Sequence, residues 1–352
     1  MLSEDDDAAS SESVDAQDTS VDDQTAQPIH PPKVYLRKSV DEDVVSTRAP
    51  LSDEQTAALA ALRKLIDAHD ASRVDYKRVW LSDSCLLRNL RARNFDVTQA
   101  HTLLAGTLAW RDEKDVWALR ERFADEIGFE MSSGKMYRNG TDKTGRPILY
   151  IRDRRKNSDH YDNQIYNTIS ALERLCDSMD LSRGVESWVL LFDFRGYSYA
   201  NRAPWQMTKE VLSMFLDRYP ERLGLGIFVD APWLFHTLWK LIGGLLPTET
   251  KAKIHFVNGT LAEKREQLSK FIEPAQLESM LGGDNNCRYV HKRYWAEECA
   301  QHALLIEHER KLRNPAAVST PTERGDDDAA AAAAAPHPHA KLKKKKKKKQ
   351  HQ

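Results

Sequence analysis

Cysteine is scarce in this chain. Cys85, Cys176, Cys287 and Cys299 are scattered, with no CxxC and no regular spacing. That argues against a disulfide framework or a zinc site and for reduced cytosolic thiols. Long apolar runs are also missing: none reaches the ~18 residues needed to span a bilayer. The start, "MLSEDDDAAS", is acidic, the opposite of a secretory or mitochondrial leader. The expected location is therefore cytoplasmic, with any membrane contact peripheral. Catalytic signatures are absent too, since there is no GxSxG, HExxH, EF-hand or dinucleotide fingerprint. "GTDKTGR" at 140–146 has the look of a phosphate loop. However, Arg146-Pro147 stands where Lys-Ser/Thr belongs, and the stretch leads into a strand rather than a helix. The histidines show no ligand pairing on one helix face. Asp193 ends an apolar strand where α/β enzymes often keep a carboxylate, but a turn cap before Arg195-Gly196 is the simpler reading. No enzyme activity, metal or cofactor is expected.

What is present is unevenly distributed. The formal net charge of −1 hides nine acidic and no basic residues in 1–27, against eight lysines in "KLKKKKKKKQ" at 341–350. An alanine run and "PHPHA" precede those lysines. Neither end carries enough apolar surface to offset ordering entropy, so residues 1–50 and 315–352 are expected to be disordered. About 265 residues remain between them, ample for one substantial core.

The folded part changes period along its length. Ser52-x-x-Gln55 reads as a capping box ahead of Leu59, Leu62, Leu65 and Ile66 at helical spacing. "SCLLRNLRAR" is a second helix, and a third starts at Asp96-x-x-Gln99, making 51–122 a helical unit. Beyond it, "RPILYIR" (146–152), "WVLLFDF" (188–194), "GIFVD" (226–230) and "IHFV" (254–257) are short apolar runs. They alternate with helical stretches near 164–182, 205–218, 232–243 and 262–271. This pattern predicts an α/β fold with a mainly parallel sheet in a domain over 123–290. A last helix covers 291–314 and stops at Asn314-Pro315.

Three segments occur in a telling order: "LLRNLRARNFDVTQAHTLLAGTLAWR" (86–111), "DKTGRPILY" (142–150) and "RYPERLGLGIFVDAPWLFHTLWKLI…TKAKI" (218–254). From about 82 to 297 the chain resembles the CRAL-TRIO family, lipid-binding proteins typified by the fungal phosphatidylinositol transfer proteins. "GGDNNCRYVHKRYW" (282–295) is most similar to the subgroup linked to azole resistance. The resemblance implies a sheet flooring an apolar lipid cavity and, after Ala231-Pro232, a movable helical gate. Trp233, Leu234, Phe235, Leu238, Trp239, Leu241 and Ile242 would line the acyl chains when the gate is closed and meet bilayer when it opens. Taken alone, a helix so apolar all round is an ordinary core helix. A greasy cavity is needed because ~30 buried methylenes at about 0.8 kcal/mol each amount to some 25 kcal/mol.

The resemblance also implies a phosphatidylinositol headgroup site at Arg93, Glu221, Thr250 and Lys253. Lys253 would meet the phosphate, Thr250 would donate beside it, Glu221 would orient the lysine or accept inositol hydroxyls, and Arg93 would clamp from the helical unit. The family often has Lys after that arginine, where this chain has Asn94. The cavity hydroxyls placed near choline in the prototype correspond here to Leu149, Trp188 and Leu190. A buried zwitterion without partners costs several kcal/mol, so the expectation is phosphatidylinositol transfer without phosphatidylcholine. A sterol or other weakly polar lipid would be the second ligand. The lysine tail can attract anionic membrane at about 1 kcal/mol per lysine, with the acidic N-terminus masking it. A solvated tail without specific partner is the alternative. The protein is expected to be a monomer without nucleic acid. Presentation of phosphatidylinositol to a lipid kinase, or a scaffold with an empty cavity, are the alternatives to transfer.

Overall fold

The computed structural model describes residues 26–39, 42–69, 80–121, 123–198, 202–233, 235, 239, 243 and 248–313. Residues up to Arg313 form one compact unit. The lysine run and the Asn314-Pro315 stop lie outside the described residues, as do 1–25.

Helix α1 (Asp53–His69) begins at the expected capping box. Ser52 Oγ accepts from the Gln55 N–H at 3.2 Å, and Gln55 Oε1 accepts from the Ser52 N–H at 3.2 Å. Helix α2 (Asp83–Arg91) is capped by Ser82, and α3 (Val97–Glu113) by Asp96, whose side chain accepts from the Gln99 N–H. Leu62, Ile66, Leu86, Leu90, Ala100 and Leu104 are wholly enclosed where the three helices meet. Each such leucine contributes roughly 1.5–3 kcal/mol. Two short helices follow, α4 (Val116–Glu121) and α5 (Phe123–Met131). They are too short for apolar periodicity to register in the sequence.

The sheet has five strands in the order β2-β3-β4-β5-β6, with β1 (Gln27–Pro28) lying apart from it. These are β2 (Met136–Thr141), β3 (Pro147–Ile151), β4 (Trp188–Asp193), β5 (Leu223–Val229) and β6 (Ile254–Val257). β2 runs antiparallel to β3, and every other pairing is parallel. The suspected phosphate loop is the β2–β3 turn. Asp142 Oδ1 accepts from the N–H groups of Thr144 (3.0 Å) and Arg146 (2.8 Å), and Gly145 takes φ +83°, which a side chain would resist. The crossovers carry α6 (Tyr161–Asp177), α7 (Trp205–Ser213, continuing as a π turn through Arg218) and α8 (Thr248–Ala252). α9 (Leu261–Leu268) and α10 (His291–Arg313) complete the chain.

Pleating gives the sheet two distinct faces. One carries Ile148, Tyr150, Val189, Leu191, Ile227 and Val257, all at most 2 % exposed. Against it Tyr137 stacks on Tyr150 at 5.4 Å, with Tyr289 and Tyr294 beside it. Asp193 lies at the end of this face in a structural role: its Oδ1 accepts from the Arg195 N–H at 3.1 Å, and Arg152, Arg154 and Arg195 pair with it. Burial alone would raise its pKa, but the three guanidiniums hold it far below the carboxylate range. Nearby, Glu298 of α10 binds both Arg138 of β2 (2.7 Å) and Arg174 of α6 (2.9 Å).

The expectation of disorder through residue 50 fails for 26–39 and 42–50. Strand β1 (Gln27–Pro28) pairs in parallel with β7 (Cys287–Arg288), and Ile29 is 2 % exposed. The Tyr35 N–H donates to the Asp177 carbonyl at 2.7 Å, and the Val34 N–H to Gln301 Oε1 at 3.0 Å. A polar, proline-rich segment with little apolar surface of its own is held by partners hundreds of residues away. Local composition does not encode such partners.

Candidate lipid site

The second face of the sheet carries Leu149, Leu190, Phe192, Phe228, Ile254 and Phe256. Its aromatic half stacks tightly: Phe192 and Phe228 lie 4.7 Å apart with rings nearly parallel, and Phe228 and Phe256 lie 5.5 Å apart. Residues 233, 235, 239 and 243 are helical, and Phe235 and Trp239 lie over this floor. Phe235 reaches Phe194 and Phe228 at 5.0 Å each, and Trp239 reaches Phe256 at 5.6 Å and Phe228 at 6.1 Å. Trp233, at the start of the same segment, is 78 % exposed. Leu234, Leu238, Leu241 and Ile242 lie outside the described residues. Beneath the gate, Gly226 keeps the floor low, because a Cβ there would stand 2.5 Å from Ile254 Cδ1.

Leu149, Trp188 and Leu190 share the floor's face of the sheet but belong to its packed side. Their exposures of 2, 1 and 3 % leave no water-sized space beside them. The Trp188 indole packs on Tyr219 at 5.7 Å, and Tyr219 meets Trp110 at 6.2 Å. Bulk at position 188 thus fills the volume that the resemblance assigns to cavity. The half-buried floor residues Phe192, Ile254 and Phe256 lie under the gate instead.

Of the four expected headgroup residues, Glu221 precedes β5, Thr250 lies in α8 and Lys253 precedes β6, while Arg93 follows α2; no side-chain contact joins the four among the described residues. Glu221 closes the Tyr219-Pro220-Glu221-Arg222 turn two residues before β5 and takes φ +60°. That conformation is uncommon for a residue with a Cβ and often marks a functional turn. Lys253 immediately precedes β6. The Gly226 N–H donates to its carbonyl at 2.8 Å, and the Lys253 N–H donates to the Thr250 carbonyl at 3.2 Å. Among the described residues neither Glu221 nor Lys253 has a salt bridge, so the expected carboxylate–lysine pairing is not formed here. Arg93 follows α2, donates to the Ala92 carbonyl at 2.8 Å and lies 3.9 Å from Asp217, four residues before Glu221. Asn94, in the place of the family lysine, takes φ +51°, which asparagine tolerates better than most residues. Sequence reasoning missed Arg91, whose positive field reaches Glu221. Burial lowers its pKa, while Glu186 and Glu221 oppose that fall. Nothing about a lone arginine in a helical run signals such a position.

Among the described residues no helix is long and apolar enough to cross a membrane, and no cluster of histidine, cysteine and acidic side chains could hold a metal ion.

Two family descriptions match the chain: "CRAL/TRIO domain" over residues 131–283 and "CRAL/TRIO, N-terminal domain" over residues 58–106. A CRAL-TRIO domain-containing protein of Schizosaccharomyces pombe is 32 % identical over 250 residues, covering 70 % of this chain and 24 % of its own length. Phosphatidylinositol transfer protein PDR17 of Saccharomyces cerevisiae is 29 % identical over 239 residues, covering 65 % of each chain. Phosphatidylinositol transfer protein CSR1 of Eremothecium gossypii is 29 % identical over 272 residues, covering 73 % of this chain and 61 % of the relative. This chain therefore spans less than two thirds of each of these relatives. The crystal structure of Sfh5 superposes with a TM-score of 0.50 at 14 % identity, covering 74 % of this chain and all of that one; the likeness is one of fold. With both domains matched in order, and with a mainly parallel sheet flanked by helices behind a separate helical unit, the chain belongs to the CRAL/TRIO family.

Proposed function

We propose that the protein binds phosphatidylinositol and transfers it between membranes by reversible opening of the 233–243 gate, without catalysing a reaction. The observation that carries this reading is the placement of Glu221 in the positive-φ turn ahead of β5 and of Lys253 immediately ahead of β6, the adjacent parallel strand. Lys253 offers a point charge to the lipid phosphate, Thr250 a hydroxyl beside it, and Glu221 acceptors for inositol hydroxyls. Arg93 clamps the same headgroup from the helical unit.

The acyl chains take the space over Phe192, Phe228, Ile254 and Phe256 once Phe235 and Trp239 lift. Lipid then exchanges one hydrocarbon contact for another, so the cost falls on moving the gate. With Leu149, Trp188 and Leu190 fully packed, no hydroxyl from those positions can serve a choline headgroup. Phosphatidylcholine is therefore excluded, and a weakly polar second lipid such as a sterol is admitted. The work is done by a monomer at the cytosolic face of membranes, with Lys341 and Lys343 to Lys349 drawing the chain to anionic surfaces.

A vesicle-to-vesicle transfer assay tests this. Phosphatidylinositol should move at least tenfold faster than phosphatidylcholine, and equal rates would refute the headgroup assignment.

A further inference from the structure

Between α2, α6 and the Tyr219–Arg222 turn lies a cavity of about 100 Å³. That is the room of about three water molecules, enough for a tetrahedral oxyanion. Arg37, Arg88, Arg218 and Arg222 all line it. The carboxylates on its wall are Glu173, Asp177 and Glu309, and two of them are engaged by arginines outside it. Glu173 accepts both guanidinium nitrogens of Arg111 at 2.9 Å and the Tyr219 hydroxyl at 2.7 Å. Asp177 pairs with Arg174 at 3.2 Å. Arg88, only 6 % exposed, has a share of Glu186 at 3.4 Å, which Arg91 and Arg48 also contact.

Arg218 and Arg222 have no carboxylate partner among the described residues. Arg222 donates to the Glu186 carbonyl at 2.7 Å and faces the Met179 sulfur at 3.3 Å. Burial, then the neighbouring Arg88, pull its pKa down. Arg222 is half-buried, and a guanidinium partly withdrawn from water without a counter-ion is unfavourable. Here Arg88 shares Glu186 with two further arginines, Arg222 reaches only the backbone carbonyl of that residue, and Glu309 is the remaining acidic side chain on a wall with four guanidiniums. Guanidinium forks match oxyanion geometry, and a dianion among them would remove the imbalance.

We propose that this cavity binds a phosphate dianion, either free inorganic phosphate or the phosphomonoester of a phosphorylated lipid headgroup. In its lipid form the inference rests on the reading above; in its free form it does not. An anion there would tie α2 of the helical unit to the turn that carries Glu221.

The test is thermal unfolding of the full chain at fixed ionic strength in chloride, with inorganic phosphate, and with soluble short-chain phosphatidylinositol 4-phosphate or its unphosphorylated parent. At a hundredfold excess over Kd the midpoint should rise by about 5 °C. Arg222→Gln and Arg218→Gln should each lose at least tenfold in affinity, read by phosphorus NMR line width. A response to inorganic phosphate identifies the free anion; a response to the phosphorylated lipid but not its parent identifies the headgroup. Equal midpoints throughout overturn the proposal, as does a response that both variants keep in full. If Arg222→Gln does not fold, Arg218→Gln carries the comparison alone. Phosphatidylinositol transfer in phosphate-free buffer reports on the lipid reading separately.

Discussion

At the scale of single residues, the charges at the start of β5 and β6 are the most informative. A charge-assisted hydrogen bond to a phosphate is worth about 1.5–3 kcal/mol, so Lys253→Ala should reduce phosphatidylinositol affinity roughly tenfold to a hundredfold. Far-ultraviolet circular dichroism should be unchanged, because the structural hydrogen bonds at this position use backbone atoms alone. Glu298 makes a separate prediction. Burial would raise its pKa, but Arg138 and Arg174 hold it at about 2 against an ordinary 4.5. A depressed carboxylate stabilises the fold above its unfolded pKa and loses that contribution as pH falls through the folded one. Stability measured by urea unfolding should therefore fall between about pH 4.5 and pH 2. Glu298→Gln should flatten that fall and cost about 3–5 kcal/mol near neutrality by stranding two buried arginines. Arg93, Glu221, Thr250 and Lys253 are proposed from their motifs. Arg88, Arg91, Arg218 and Arg222 were not legible in the sequence, since burial of a charge depends on elements distant in sequence.

At the scale of elements, periodicity located α1 to α3 and strands β3 to β6 because each presents a clear apolar face or run. It missed β2, whose "MYRNGT" mixes buried tyrosine with polar groups satisfied only by tertiary partners such as Glu278 and Tyr294. It missed the N-terminal segment for the same reason. Removing residues 1–39 should cost about 3 kcal/mol or more, from the burial of Ile29 and several backbone hydrogen bonds to α6, α10 and β7. Urea unfolding of the truncated chain measures that loss. The gate makes the complementary prediction. Trp233 stands in water although the rings of its segment otherwise sit on the floor, so Trp233→Ala should leave stability within about 0.5 kcal/mol. The same change should lower association with vesicles in a sedimentation assay. An unchanged bound fraction would remove Trp233 from the membrane contact.

At the scale of the whole molecule, one sheet carries an aromatic floor covered by Phe235 and Trp239, and Glu221 and Lys253 precede two of its adjacent strands. The helical unit carries Arg93 after α2. Trp233 is left outside while Phe235 and Trp239 of the same segment lie on the floor, and Glu221 sits in a positive-φ turn. These features motivate the proposal of a container with a lid and a polar rim. Native mass spectrometry of the purified full chain examines that claim most directly, because a container purified from cells should hold its cargo. The account predicts one phosphatidylinositol per chain, lost in a Lys253→Ala and Glu221→Gln double variant and never replaced by phosphatidylcholine. A chain that emerges free of lipid, or equally loaded with phosphatidylcholine, would contradict it.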